Sequence, residues 1–131
     1  MDYSKLSDFD INCEVLAVFS PDIKHMCLSA DNTCFYDCGP IGDGWYQIDI
    51  PDYCNNPADA WPIIVGKKLS LINADDKWLC VPEDEPIDGV TGDSVHMIYS
   101  GDGVEHENPL RAAMIVFLMM QESANVHDNP A

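Results

Sequence analysis

Apolar positions near the start of the chain recur at helical steps: Ile11, Val15, Val18 and Phe19. Just upstream, Ser7 and Asp10 stand three residues apart, the arrangement of a capping box. Leu6 is placed to staple onto Ile11 across that cap. Ser20-Pro21 breaks the pattern, so a first helix is predicted over Asp8 to Phe19. From Met26 the period shortens. Met26-Cys27-Leu28 and Cys34-Phe35-Tyr36 flank the turn residues Ala30-Asp31-Asn32 and read as a hairpin. After a Gly39 to Gly44 loop, Trp45 to Ile50 alternates as a half-buried strand, with Tyr46, Ile48 and Ile50 on one face.

Asn56-Pro57 opens a second helix, with asparagine as the cap and proline at the first helical position. Ala60, Trp61, Ile63, Ile64 and Val65 give it a broad apolar face. Pro62 is expected to limit or kink it and Gly66 to end it. Leu69 to Ile72 and Trp78 to Val81 flank Asn73-Ala74-Asp75-Asp76, a second hairpin. Pro82 to Asp93 reads as a polar loop and Val95 to Tyr99 as a strand. Asn108-Pro109 caps a last helix, Leu110 to Glu122. Its apolar run from Ala112 to Met120 is far short of the ~20 residues of a membrane span and reads as a buried helix. Ser123 to Ala131 lacks periodicity and reads as a flexible tail. The pattern predicts an α+β fold: one compact domain over residues 1–122, a small antiparallel sheet, about three helices, and the C-terminal helix packed across the sheet.

Charge changes this picture more than length does. The 131 residues hold 23 Asp and Glu against 6 Lys and Arg, a net charge of −17. Phosphate neutralisation needs clustered cations, so direct nucleic-acid or anionic-membrane binding is not expected. Solubility, repulsion of nucleic acid and mimicry of nucleic acid all fit such a charge. Six cysteines, Cys13, Cys27, Cys34, Cys38, Cys54 and Cys80, accompany a start with no basic, apolar or small-residue signal pattern. They are expected to be reduced thiols, several of them buried.

Standard enzymatic motifs for a nucleophile elbow, a phosphate loop or a zinc protease are missing from the sequence. Glu105-His106-Glu107 has acid, base and metal-ligand chemistry but reads as a solvated stretch before a helix. His96 reads as a strand residue that packs or hydrogen-bonds. His25, Cys27, Cys34 and Cys38 include one allowed zinc spacing with no paired knuckle to answer it, so no metal is expected. The Asp-Gly pairs at 43–44, 88–89 and 102–103 put Ile41, Pro86 and Gly101 at the third calcium-ligand position, where none offers a side-chain oxygen.

The two Asn-Pro helix starts offer a different chemistry. A helix N-terminus carries free N–H groups and partial positive charge, enough to hold a phosphate. Arg111, the chain's single arginine, falls in the first turn of the last helix, and Tyr53 and Trp61 flank the other start. Tyr53, Asn55, Asn56, Asp59, Trp61, Asn108 and Arg111 therefore form the candidate ligand-binding set: aromatic rings for a base, amides and a guanidinium fork for a phosphate. The same residues also read as ordinary caps, ordinary core and an ordinary ion pair.

Three stretches resemble a known family: Met1 to Asn12 (MDYSKLSDFDIN), Tyr53 to Val65 (YCNNPADAWPIIV) and Glu107 to Gln121 (ENPLRAAMIVFLMMQ). Together they look like the NinX family of tailed phages and prophages, a set of small accessory proteins. Pro21 to Asp52 and Asp75 to Glu105 carry none of the resemblance. It implies phage origin and action in the host cytoplasm, and by association a counter-defence role, without implying a reaction.

Two functions follow. The first is a non-catalytic sponge that sequesters a nucleotide immune signal of cyclic or ADP-ribose type, without cofactor or metal. The second is an acidic inhibitor of a host protein. Between Lys77 and Arg111 there is no basic residue, while Glu83, Asp84, Glu85, Asp88, Asp93, Asp102, Glu105 and Glu107 fall there, as a nucleic-acid mimic would require. The large apolar and aromatic content predicts a homodimer.

Overall fold

The first helix forms where its cap dictates. In the computed structural model, which describes residues 2–37, 46–82 and 103–127 with side chains as far as Glu122, α1 spans Asp8–Phe19. The Ser7 hydroxyl accepts from the Asp10 N–H at 3.0 Å and the Asp10 carboxylate accepts from the Ser7 N–H at 3.3 Å. This satisfies two of the N–H groups that a helix start leaves unbonded. Ile11, Val15 and Leu16 turn inward.

A first antiparallel sheet follows, in the order β1 (Cys27–Leu28), β2 (Cys34–Tyr36), β3 (Gln47–Asp49). Phe35 pairs with Ile48 across it, and both pack on the core. A second sheet holds β4 (Ser70–Ala74), β5 (Lys77–Val81) and β6 (Val104–His106) in that order. The strands among the described residues thus divide between two three-stranded sheets. Strand β6 was not expected, because Glu105 and His106 mask its alternation. It forms along the edge that β5 would otherwise leave with unpaired N–H and C=O groups. Most of the Pro82 to Asp93 loop, the Val95 to Tyr99 strand, the Gly39 to Gly44 loop, Trp45 and Cys38 lie outside the described residues.

Helix α2 (Pro57–Gly66) starts as read, with the Asn56 side chain accepting from the Ala58 N–H at 3.0 Å. It continues through Pro62. The carbonyl that a proline at 62 leaves unbonded belongs to Ala58, and both residues are exposed, so water can take it. Gly66 is the last helical residue, but the left-handed position beyond the helix is Lys68, at φ 55°. There the Lys68 N–H reaches the Val65 carbonyl at 3.2 Å and the Leu69 N–H the Ile64 carbonyl at 3.0 Å, the paired bonds of a Schellman stop.

Helix α3 (Pro109–His127) is the hub, touching α1, α2, β5 and β6. Residues 111–118 are all buried. A helix buried on every side must be apolar all round, which explains the Ala112 to Leu118 run. Its backbone continues five residues beyond Glu122, and Ser123 to His127 contain neither Gly nor Pro to stop it.

One cysteine expectation is corrected. Cys27 is disulfide-bonded, whereas Cys13, Cys34, Cys54 and Cys80 are free thiols. Compartment and composition speak to how often disulfides form, but the chain path decides whether two sulfurs come within reach.

Candidate functional site

The candidate residues fall in two neighbouring places and one outlier. The first place is where the starts of α1, α2 and α3 meet. Asn108 caps α3 through its carbonyl oxygen, which accepts from the N–H groups of Leu110 at 3.0 Å and Arg111 at 3.4 Å. Its amide nitrogen donates to the Cys54 carbonyl at 2.6 Å and to the Asn55 side chain at 3.2 Å. The Asn55 amide in turn donates to Asp8 at 3.2 Å and to Asp52 at 3.1 Å. Asn12, from α1, donates to Asp52 at 3.0 Å and accepts from the Cys54 N–H at 3.0 Å.

Arg111 is buried in this junction, and both of its terminal nitrogens have partners. Nη1 donates to Asp8 at 2.6 Å; Nη2 donates to the carbonyls of Leu6 at 2.6 Å and Tyr3 at 3.4 Å. Its fork thus grips the N-terminal segment. Nε is buried without a protein partner. Partial burial pushes the Asp8 carboxyl up, but bonds from Arg111 and Asn55 and the nearby positive charge outweigh this and hold it below its ordinary value. Burial pushes the Cys54 thiol up to about 12. Nδ1 of His106 accepts the Asn108 N–H at 2.9 Å. Among the described residues no group of three or more His, Cys, Asp or Glu is placed to hold a metal ion.

The second place is a groove along α2 of about 460 Å³, lined by Phe19, Tyr53, Asp59, Pro62, Ile63, Gly66 and Lys67. That is within the size range of small-ligand sites. Asp59, Pro62, Ile63, Gly66 and Lys67 follow one another at three- and four-residue steps and so form a single stripe of the helix. The Asp59 carboxylate accepts from the Asp52 N–H at 3.0 Å, which ties the groove to the junction. Burial, and then the Asp59 charge, push the Tyr53 hydroxyl up from its ordinary value. Phe19 stacks on buried Phe117 with ring centroids 5.6 Å apart and planes 5° from parallel, yet is 54% exposed.

Trp61 is the outlier. It is 58% exposed on the outer face of α2, one turn from exposed Val65, and belongs to neither core nor groove.

A family model described as bacteriophage P22 NinX matches residues 2–121, a span that takes in the junction, α2 and its groove. The chain belongs to the NinX family. The match takes in β1 to β3 and the chain between β4 and α3, beyond the three stretches that first suggested the family. It makes this a phage-encoded accessory protein. No curated protein and no solved structure matches the chain. Among the described residues no helix is long and apolar enough to cross a membrane.

The structure therefore joins Asn55, Asn108 and Arg111 in one network, sets Asn56 as the cap of α2, and puts Tyr53 and Asp59 in the groove. Phe19, Gly66 and Lys67 complete the groove and were not singled out from the sequence. Lys67 and Gly66 were legible as the continuation of the Asp59 stripe; Phe19, on another helix, was not.

Proposed function

We propose that this phage accessory protein acts by stoichiometric binding, without catalysis, and sequesters a small nucleotide signal of host defence in the groove along α2. The observation that carries the reading is the groove's make-up: two aromatic rings, one carboxylate and one ammonium around an apolar floor. Such a lining suits a ligand with a flat base and an anionic group. Asn55, Asn108 and the two terminal nitrogens of Arg111, which are engaged with the protein itself, act in this reading as the frame that holds α2 in place. The test is calorimetry against cyclic and ADP-ribose nucleotides, with recovery of the ligand after heat denaturation. Intact ligand bound one per chain at micromolar concentration is expected; turnover, or no binding across the panel, overturns the proposal.

An inhibitor of a host protein is the second reading, and exposed Trp61 with Val65 favours it. Exposed aromatics of this kind are typical anchors at protein interfaces. Pairing of two copies in the host cytoplasm would cover the same face, against the repulsion of two chains of −17 each. Trp61→Ser separates these ideas: loss of counter-defence with nucleotide binding intact supports a protein target, and a monomer mass by light scattering at micromolar concentration rules out the homodimer.

A further inference from the structure

We infer that the groove takes a guanine nucleotide, with the Watson–Crick edge of the base at Asp59 and the phosphate at Lys67. This rests on the binding reading above and specifies its ligand.

The two charged groups stand at opposite ends of one stripe. Eight residues separate Asp59 from Lys67, about 12 Å along a helix rising 1.5 Å per residue. That suits a nucleoside monophosphate laid lengthwise, base edge at one end and phosphate at the other. Reversal is disfavoured, because the phosphate would then face Asp59.

Asp59 selects the base. An ionised carboxylate is an acceptor only, with about four lone-pair sites. One is used by the Asp52 N–H, so the rest must be met by ligand donors or water. Guanine presents two adjacent N–H donors on its Watson–Crick edge. Adenine presents an amino group beside an acceptor nitrogen, which would put a lone pair against a carboxylate oxygen. Sites with committed polar groups reject the analogue that leaves them unpaired.

The stack runs through Phe19. One face of its ring lies on Phe117, so its exposed half is the opposite face and edge. A base laid there would extend a stack that already exists. Gly66, next to Lys67, leaves the phosphate end of the stripe bare: a Cβ built on it meets nothing within 4 Å. Lys67 is exposed, so solvent screens its attraction for a phosphate, and the net charge of −17 repels an anion at longer range; both point to micromolar rather than nanomolar affinity.

The test titrates the full chain with GMP, IMP, AMP and guanosine, in wild type and in three variants. GMP should bind at micromolar concentration and AMP at least tenfold more weakly, with IMP between them. Asp59→Asn, which keeps an acceptor for the Asp52 N–H, should remove the preference for GMP over AMP. Lys67→Gln should weaken GMP about tenfold and leave guanosine unchanged. Gly66→Leu, which adds a side chain in open space, should abolish binding while thermal melting shows a folded protein. Equal binding of GMP and AMP, both blocked by Gly66→Leu, overturns the guanine assignment and leaves the binding reading standing. Binding untouched by Gly66→Leu overturns the groove as the site. If neither these ligands nor the cyclic and ADP-ribose panel binds, the binding reading itself falls.

Discussion

Asn108 donates its side-chain amide to the Cys54 carbonyl at 2.6 Å, across 54 residues of sequence. The same amide caps α3 with its oxygen, so one side chain both starts the central helix and pins the segment that leads into α2. Replacing Asn108 with Ala removes a cap, about 1 kcal/mol, and orphans a part-buried carbonyl, a further ~1–3 kcal/mol. Asn108→Ser restores the cap alone. Denaturant unfolding should therefore rank wild type above Asn108→Ser, and Asn108→Ser above Asn108→Ala. Equal stability of the two variants would show that the bridge to Cys54 contributes nothing.

Arg111→Met should destabilise the protein by roughly 2–4 kcal/mol, discounted from the range for a broken buried pair because the Asp8 side chain is 43% exposed. Arg111→Lys should recover little, since one ammonium cannot reproduce the fork that reaches Asp8, Leu6 and Tyr3 together. Nucleotide affinity of the folded fraction should change less than twofold. A tenfold loss of affinity in a fully stable variant would return Arg111 to the binding site, where its residue type alone first suggested it.

Stability should fall at both ends of the pH scale, for opposite reasons. The Asp8 carboxyl is held below its ordinary value, so its contribution is present above the unfolded value near 4 and lost as pH falls through the folded one. The Cys54 and Cys80 thiols are pushed up to about 12 by burial, so theirs is present below the unfolded value near 9 and lost as pH rises toward 12. Each thiol should tilt the unfolding free energy by about 1.4 kcal/mol per pH unit within its window, and Asp8, half exposed, by less. Urea unfolding from pH 3 to 11 checks both limbs. Asp8→Asn should flatten the acid limb and Cys80→Ala should reduce the alkaline slope.

The β4–β5 hairpin carries a correctable strain. Asp75, the first of two turn residues, has φ 60°, a conformation that glycine adopts without steric penalty. Asp75→Gly should raise stability by about 1 kcal/mol. It also separates adjacent like charges at Asp75 and Asp76. A thermal melt reads the result, and a lowered midpoint would show that the aspartate makes compensating contacts.

Trp61→Ser should leave the unfolding free energy within about 0.5 kcal/mol of wild type, the usual range for surface substitutions. Although Trp61 sits in an apolar string that reads as core, it is 58% exposed. Destabilisation by 3 kcal/mol or more would mean that the ring is buried in solution, by a second copy or by the chain itself.

Local patterns determined much of this protein. The cap at Ser7 and Asp10, the Asn56-Pro57 and Asn108-Pro109 starts, and the two hairpins could be read because each is settled by residues within a few positions of one another. The all-round apolar run after Arg111 marked the central helix for the same reason. Strand β6 could not be read, because its partner β5 lies more than twenty residues upstream and supplies the edge that makes Val104 to His106 a strand. What the candidate residues do was also outside local reach. Composition brings an arginine and several amides to helix starts, where either a phosphate or the protein's own groups can satisfy them. Only the tertiary structure puts Asp8, Leu6 and Tyr3 around Arg111, and Cys54 beside Asn108, because contacts across 54 to 108 residues depend on how helices pack rather than on what each helix contains. By the same packing, Phe19 from α1 is laid against a stripe of α2 to make a groove that neither helix encodes alone.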